Sequence, residues 1–288
     1  MGKGVHLVLS SGGARGVAHI GVIEALIASG FEIRSIAGSS MGAVVGGVYA
    51  AGKMDAFKEW VCNFDKIDVF KLMDFTLSTQ GFIRGDRVFN HMRSFIPECN
   101  IEELSIPFTA VATDILNKRE VVFNRGSLYT ALRASASIPS VLKPAIVNGV
   151  ELVDGGVINP IPISHVNAGK DEMVIVSDVN AAVPCSIQDP VPEESGRFKP
   201  LIEKWNSFFP KSNNKTKRLS YFDLVAKSVD LMQDQLSHLT IEKAQPDLVI
   251  EISRDLCGTF AFYRSKELIH YGRSEFLKAI KEHGIQTT

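Results

Sequence analysis

Residues 5–50, VHLVLSSGGARGVAHIGVIEALIASGFEIRSIAGSSMGAVVGGVYA, alternate between strand and helix signals and decide the fold class. An apolar strand over 5–9 ends at a glycine-containing turn over 10–13, and a helix with an apolar stripe follows to about Ser29. A second strand over 33–37 leads directly into a second helix. Units of this kind build parallel sheets with right-handed crossovers. The sequence therefore predicts a three-layer α/β/α fold with a central, mostly parallel sheet.

The rest of the chain continues this alternation. Further strands are predicted over 108–113, 120–123, 145–147, 150–153, 173–177 and 248–252, and further helices over 128–136, 221–243 and 265–283. Residues 56–100 predict helices beside the sheet, with an exposed turn at 81–85. Asn148-Gly149 suits a type I′ hairpin, because both residues tolerate a positive φ. We expect a single domain over residues 1–288.

Residues 181–220 are the least core-like part of the chain, and we expect a loop excursion there. They hold five prolines, and basic residues far outnumber acidic ones between 197 and 218. Aromatic side chains lie among lysines, a combination that settles at membrane interfaces: Trp205, Phe208 and Phe209 with Lys199, Lys204 and Lys211. A solvated surface loop explains the same composition, so peripheral membrane contact stays one of two interpretations.

The composition excludes several classes of protein. Lys+Arg of 31 against Asp+Glu of 32 gives a formal charge of −1, which offers no reason to expect a nucleic-acid partner. The four cysteines lie far apart and match neither a zinc spacing nor a disulfide framework. No apolar run is long enough for a signal peptide or a membrane span. We expect a cytoplasmic protein, and the sequence does not predict its oligomeric state.

Residues 38–42, GSSMG, have the G-x-S-x-G form and lie where a strand passes directly into a helix. This context is the one that a nucleophile elbow needs, because Gly38 and Gly42 leave room for a strained turn at Ser40. The amino end of the helix would favour a developing negative charge beside Ser40. A glycine-rich helix start without chemistry gives the same pattern.

Residues 11–16, SGGARG, form a second glycine turn between a strand and a helix. Backbone amides in such a turn bind anions, and Arg15 would add a cation at the same place. A dinucleotide fingerprint is disfavoured, because Ser11 replaces its first glycine and no acid ends the second strand. A nucleotide-binding or anion-binding protein without turnover remains an alternative.

Asp154-Gly155-Gly156 follows the hairpin strand over 150–153. The paired glycines permit a sharp turn that can aim the carboxylate. An Asp before Gly is often only a turn residue, so this element gains weight from its companions.

Together these three elements resemble the patatin-like phospholipase family, in which a glycine-rich turn, a G-x-S-x-G elbow and a D-G-[GA] element occur in this order. Further stretches are similar to the family: Gly81-Phe82-Ile83, Ala112-Thr113-Asp114 and residues 133–139, RASASIP. The resemblance covers somewhat more than half of the chain. Ser11 is a departure, since the family usually has glycine there.

The resemblance implies a lipid acyl hydrolase with a Ser-Asp dyad, in which Ser40 attacks the ester and Asp154 accepts its proton. It implies that the oxyanion is held by backbone amides, namely those of Gly12, Gly13, Ala14 and Met41. Arg15 would bind a substrate phosphate or steady the loop, and Gly16, Gly38, Gly42, Gly155 and Gly156 would shape the turns. No metal or other cofactor is implied.

A Ser-His-Asp esterase is a further alternative, because His165 follows Asp154 in the chain order of α/β-hydrolases. His165 lies in no recognisable motif, and an elbow on the second strand is early for that fold.

Overall fold

The computed structural model describes residues 3–72, 75–78, 81–83, 86–96, 98–139, 141–185 and 221–285. The strands in this part of the chain are β1 Lys3–Leu9, β2 Phe31–Ser39, β3 Phe75–Ser78, β4 Gly81–Ile83, β5 Phe108–Asp114, β6 Arg119–Phe123, β7 Ala145–Val147, β8 Val150–Asp154, β9 Met173–Ala181 and β10 Leu248–Ser253. The α-helices are α1 Ala18–Ala28, α2 Met41–Ala50, α3 Met54–Cys62, α4 Lys66–Leu72, α5 Asp86–Met92, α6 Leu128–Ser135, α7 Tyr221–Ala244 and α8 Ser265–Glu282.

One eight-stranded sheet organises the molecule. Its strand order is β10-β9-β1-β2-β5-β8-β7, and β6 also pairs with β5. The strands from β10 to β5 run parallel, whereas β6, β7 and β8 pair in antiparallel fashion. The predicted central, mostly parallel sheet is thus confirmed.

Both faces of the central strand β1 are buried. Its side chains alternate between two apolar clusters, one on each face of the sheet. Leu7 and Leu9 pack into the large cluster that contains residues of α1, α2 and α8. Val8 points to the other face and packs with Ile161 and with Ile241 of α7. Helices therefore flank the sheet on both faces, as predicted.

The turn predicted at Asn148-Gly149 is also confirmed, and it joins β7 to β8. Asn148 has φ 51° and Gly149 has φ 79°, the pair of positive values that a type I′ turn requires. This hairpin places Asp154 at the last position of β8.

Two predictions from the sequence need correction. Gly81–Ile83 is strand β4, paired with β3 in a small antiparallel sheet, where helices and an exposed turn at 81–85 had been predicted. Periodicity over three or four residues is too short to separate strand from turn. The predicted excursion at 181–220 begins too early, since Ala181 still belongs to β9. Its remainder from 186 to 220, with Trp205 and the neighbouring aromatic and basic residues, lies outside the described residues.

No helix among the described residues combines the length and hydropathy needed to cross a membrane. No group of three His, Cys, Asp or Glu residues in the same part of the chain could hold a metal ion.

Candidate active site

Ser40 lies in a sharp turn between β2 and α2. Its backbone has φ 53° and ψ −123°, and the positive φ is strained for a residue with a side chain. The turn requires glycines on both sides. A Cβ on Gly38 would lie 2.6 Å from the nitrogen of Ala43, and a Cβ on Gly42 would lie 2.3 Å from the carbonyl oxygen of Leu9. This is the geometry of a nucleophile elbow.

Ser40 and Asp154 are brought together from β2 and β8, the two strands on either side of β5. The hydroxyl of Ser40 donates to Oδ2 of Asp154 at 2.5 Å, and both residues are only 4% exposed. Oδ1 of Asp154 accepts from the backbone amide of Gly156 at 2.7 Å. Oδ2 of Asp154 therefore contacts the serine, whereas Oδ1 is held by the turn that follows Asp154.

The backbone around Asp154 is held on two sides. Its amide donates to the carbonyl of Ser137 at 2.9 Å, and its carbonyl accepts from the hydroxyl of Thr113 at 2.8 Å. These bonds join β8 to β5 and to the segment after α6. They fix the direction from which the carboxylate reaches Ser40.

Burial dominates the electrostatics of Asp154. It raises the pKa of this carboxyl from 3.8 to about 6, although the hydrogen bonds from Ser40 and Gly156 act to lower it. A carboxylate with a raised pKa is a stronger base than an exposed Asp, and it is still ionised at neutral pH.

The glycine turn after β1 lies next to the elbow, but only some of its amides are free. Ala14 donates its amide to the carbonyl of Thr259 at 2.8 Å. The assignment of Ala14 to the oxyanion donors is therefore wrong, since that hydrogen is already bonded on the other side of the loop. Among the described residues, no group accepts from the amides of Gly12, Gly13 and Met41. These three amides remain candidate donors.

The guanidinium of Arg15 forms hydrogen bonds to other residues of the protein. It donates to the carbonyls of Arg254 at 3.1 Å and Cys257 at 3.3 Å, and to Oδ1 of Asn180 at 2.7 Å. Of the two roles considered for Arg15, these contacts match the one that steadies the loop. Gly16 lies one residue further on, in the short 3-10 turn Gly13–Val17 that leads into α1.

His19 contacts the residue that precedes the glycine turn, a role that was not predicted from the sequence. Its Nε2 lies 3.0 Å from the carbonyl oxygen of Ser10, and its Nδ1 lies 2.9 Å from the hydroxyl of Ser177. Because a carbonyl can only accept, Nε2 carries the proton and Nδ1 accepts from the hydroxyl. Complete burial lowers the pKa of His19 to about 4, so the ring stays neutral near pH 7 and holds Ser10 in place.

Ser135 is another contact of the site that the sequence did not single out. Its hydroxyl accepts from the backbone amide of Ser40 at 2.9 Å, which fixes the elbow from the carboxyl end of α6. The signal available in the sequence was its place within residues 133–139, RASASIP, a stretch similar to the patatin-like phospholipase family.

The structure does not support a histidine base. Nε2 of His165 lies 2.9 Å from Oε2 of Glu120, and the other oxygen of Glu120 accepts from Asn159 at 2.7 Å. The hydroxyl of Ser40 meanwhile donates directly to Asp154. The alternative of a Ser-His-Asp triad through His165 is therefore wrong for this structure.

Comparison with known families agrees with the arrangement of these elements. A family model described as patatin-like phospholipase matches residues 7–166, which is more than half of the chain. The chain belongs to the patatin-like phospholipase family. The matched residues include the glycine turn, the elbow at Ser40 and the turn at Asp154, so this patatin-like protein carries all three elements of its family within the match.

Sequence relatives of this patatin-like chain differ greatly in length. An uncharacterized NTE family protein of Mycobacterium tuberculosis is 31% identical across 96% of this chain and 91% of that protein. Lysophospholipase NTE1 of Pyricularia oryzae is 28% identical across 98% of this chain, but the match covers only 19% of that protein.

Two solved structures show similarity to this patatin-like fold. VipD from Legionella pneumophila gives a TM-score of 0.47 at 14% identity, covering 98% of this chain and 67% of that one. The type III effector protein ExoU gives a TM-score of 0.42 at 13% identity, covering 98% of this chain and 54% of that one.

Proposed function

We propose that this protein hydrolyses carboxylic esters of lipids by nucleophilic catalysis, with Ser40 as the nucleophile and Asp154 as its base. The observation that carries the proposal is the 2.5 Å contact between the Ser40 hydroxyl and Oδ2 of Asp154 in a buried site. A hydroxyl paired with an ionised, desolvated carboxylate can lose its proton as it attacks.

In the acylation step, the oxygen of Ser40 bonds to the ester carbonyl carbon while its proton passes to Asp154. The amides of Gly12, Gly13 and Met41 would hold the resulting oxyanion, and the amino end of α2 adds its dipole. Collapse of this intermediate breaks the ester bond. Asp154 then returns the proton to the leaving alcohol, and an acyl ester remains on Ser40.

Deacylation repeats the same chemistry with water. A water molecule attacks the acyl carbon as Asp154 accepts a proton, and the oxygen of Ser40 leaves and takes that proton back. The products are a free acid and the regenerated dyad, so no metal or redox cofactor is needed.

The substrate class follows from family membership and from the named relatives. The matching model is described as a patatin-like phospholipase, and the relative from Pyricularia oryzae is named a lysophospholipase. We therefore propose phospholipids, lysophospholipids or similar acyl esters as substrates.

A fluorophosphonate probe tests for the activated serine. We expect covalent labelling of the wild-type protein, mapped by mass spectrometry to the peptide that contains Ser40, and loss of the label in Ser40→Ala. An anion-binding protein without turnover would give no labelling above that of the unfolded chain. A parallel assay of the wild-type protein on a panel of phospholipids and lysophospholipids would define the substrate.

The pH dependence of the reaction follows from the pKa of Asp154. Only the ionised carboxylate can accept the serine proton, and burial raises its pKa to about 6. We expect kcat/KM on an uncharged ester to fall about tenfold for each pH unit below that value and to level off above it. Circular dichroism over the same range controls for unfolding. A rate that stays constant from about pH 5 to pH 8 would contradict the assignment of Asp154 as the base.

A further inference from the structure

Asn180 makes a pair of contacts beside the glycine turn that its place in the sequence did not reveal. It is the second-last residue of β9, the strand next to β1. Its Nδ2 donates to the carbonyl oxygen of Ser11 at 2.5 Å, and its Oδ1 accepts from Nη2 of Arg15 at 2.7 Å. The orientation of the side-chain amide is unambiguous, because a guanidinium only donates and a carbonyl only accepts.

The bond to Ser11 sets the direction of the next amide. The peptide between Ser11 and Gly12 is planar and trans, so its N–H points opposite to its C=O. Asn180 holds that C=O from the side of β9. The N–H of Gly12 is consequently turned away from β9.

The strand order says what lies on that opposite side. β1 runs between β9 and β2 in the sheet, and Ser40 follows the last residue of β2. The side away from β9 is therefore the side of the sheet on which the carboxyl end of β2 and Ser40 lie. No group among the described residues accepts from this amide.

The side chain of Asn180 is itself held in place. Arg15 is anchored to the backbone carbonyls of Arg254 and Cys257, and the backbone amide of Asn180 donates to Oδ1 of Asp178 at 3.0 Å. A group fixed by its neighbours in this way can act as a rigid support, so the Ser11–Gly12 peptide needs no rearrangement during the reaction.

We propose that Asn180 is a positioning residue for the oxyanion hole, which holds the Ser11 carbonyl so that the Gly12 amide faces the reacting carbonyl at Ser40. Arg15 acts through Asn180 by fixing its Oδ1. This inference rests on the proposed ester hydrolysis and assigns to Asn180 a role in kcat rather than in substrate affinity.

The substitution Asn180→Asp tests the positioning role of this side chain without removing its contact with Arg15. The carboxylate still accepts from Arg15, so the anchor of the loop is kept, but it cannot donate to Ser11 and repels that carbonyl. We expect kcat to fall about 100-fold, as on losing one oxyanion donor, with little change in KM or melting temperature. Asn124→Asp introduces the same charge at an exposed position and should keep the wild-type kcat.

Asn180→Leu gives a second, uncharged variant in case the carboxylate impairs folding. In a folded sample of either variant, a kcat within about twofold of the wild type, or a loss confined to KM, would overturn the role of Asn180. Ser40→Ala, assayed alongside, separates the two hypotheses. Full turnover in Ser40→Ala removes the proposed function, whereas its loss together with normal kcat in the Asn180 variants removes only this inference.

Discussion

Asp154→Asn is expected to lower kcat by about 10⁴-fold while leaving the fold intact. The amide has nearly the shape of the carboxylate and can still accept from the Gly156 amide. It cannot accept the proton of Ser40, however, so general base catalysis is lost. Ester hydrolysis measured at about pH 7.5 with wild type and variant at equal concentration checks the loss.

The same substitution is expected to stabilise the protein. The pKa of Asp154 is raised from 3.8 to about 6, so the folded state binds a proton more tightly than the unfolded state does. The stability that this tighter proton binding contributes is fully present below pH 3.8 and is lost as the pH rises through about 6. Above that pH the buried charge costs about 3 kcal/mol, which Asn avoids.

Thermal and denaturant unfolding at about pH 7.5 measure this second effect. We expect a higher midpoint for Asp154→Asn and a smaller difference from the wild type at about pH 4. A variant that turns over at the wild-type rate would reassign the base, and a variant that is less stable at neutral pH would contradict the electrostatic account of the site.

Ser40→Ala is expected to abolish lipid ester hydrolysis. The turnover rate should fall by at least about 10⁴-fold, as it does when a catalytic nucleophile is removed from a serine hydrolase. No other hydroxyl donates to the carboxylate of Asp154 among the described residues, so water would have to replace the nucleophile. Release of free acid from the preferred lipid measures this loss. Following the reaction over hours allows even a very slow residual turnover of the variant to be detected.

Ser39→Ala is the matched control for this loss. Ser39 is the neighbouring residue, is fully buried, and its hydroxyl has no hydrogen-bond partner in the described structure. Removing an unpaired buried hydroxyl should leave stability unchanged or slightly raised, and we expect normal turnover. Equal losses in Ser39→Ala and Ser40→Ala would indicate a damaged elbow rather than a missing nucleophile.

The fold could be predicted from sequence because its signals are local. Strand and helix signals over residues 5–50, and the Asn148-Gly149 turn, depend on side-chain periodicity and on backbone preferences of single residues. The elbow was found for the same reason, since Gly38 and Gly42 are needed within the turn itself.

The contacts that complete the site could not be predicted because they join residues far apart in the chain. Ala14 looked like a free donor until the fold placed the carbonyl of Thr259 beside it. The sequence left Arg15 either to bind a phosphate or to steady the loop, and only the fold showed that Asn180 and the carbonyl of Arg254 accept from its guanidinium. No periodicity or motif links positions that lie in opposite halves of the chain.

The anchoring of the glycine turn by residues beyond 166 has a consequence for protein engineering. Residues 7–166, the span that the family model matches, contain every atom proposed to react. The clamps on the turn come from Asn180, Arg254 and Thr259. A chain cut at residue 166 would lose these contacts together with β9, which pairs with β1, so a transplantable catalytic module must include β9 and the segment that follows β10.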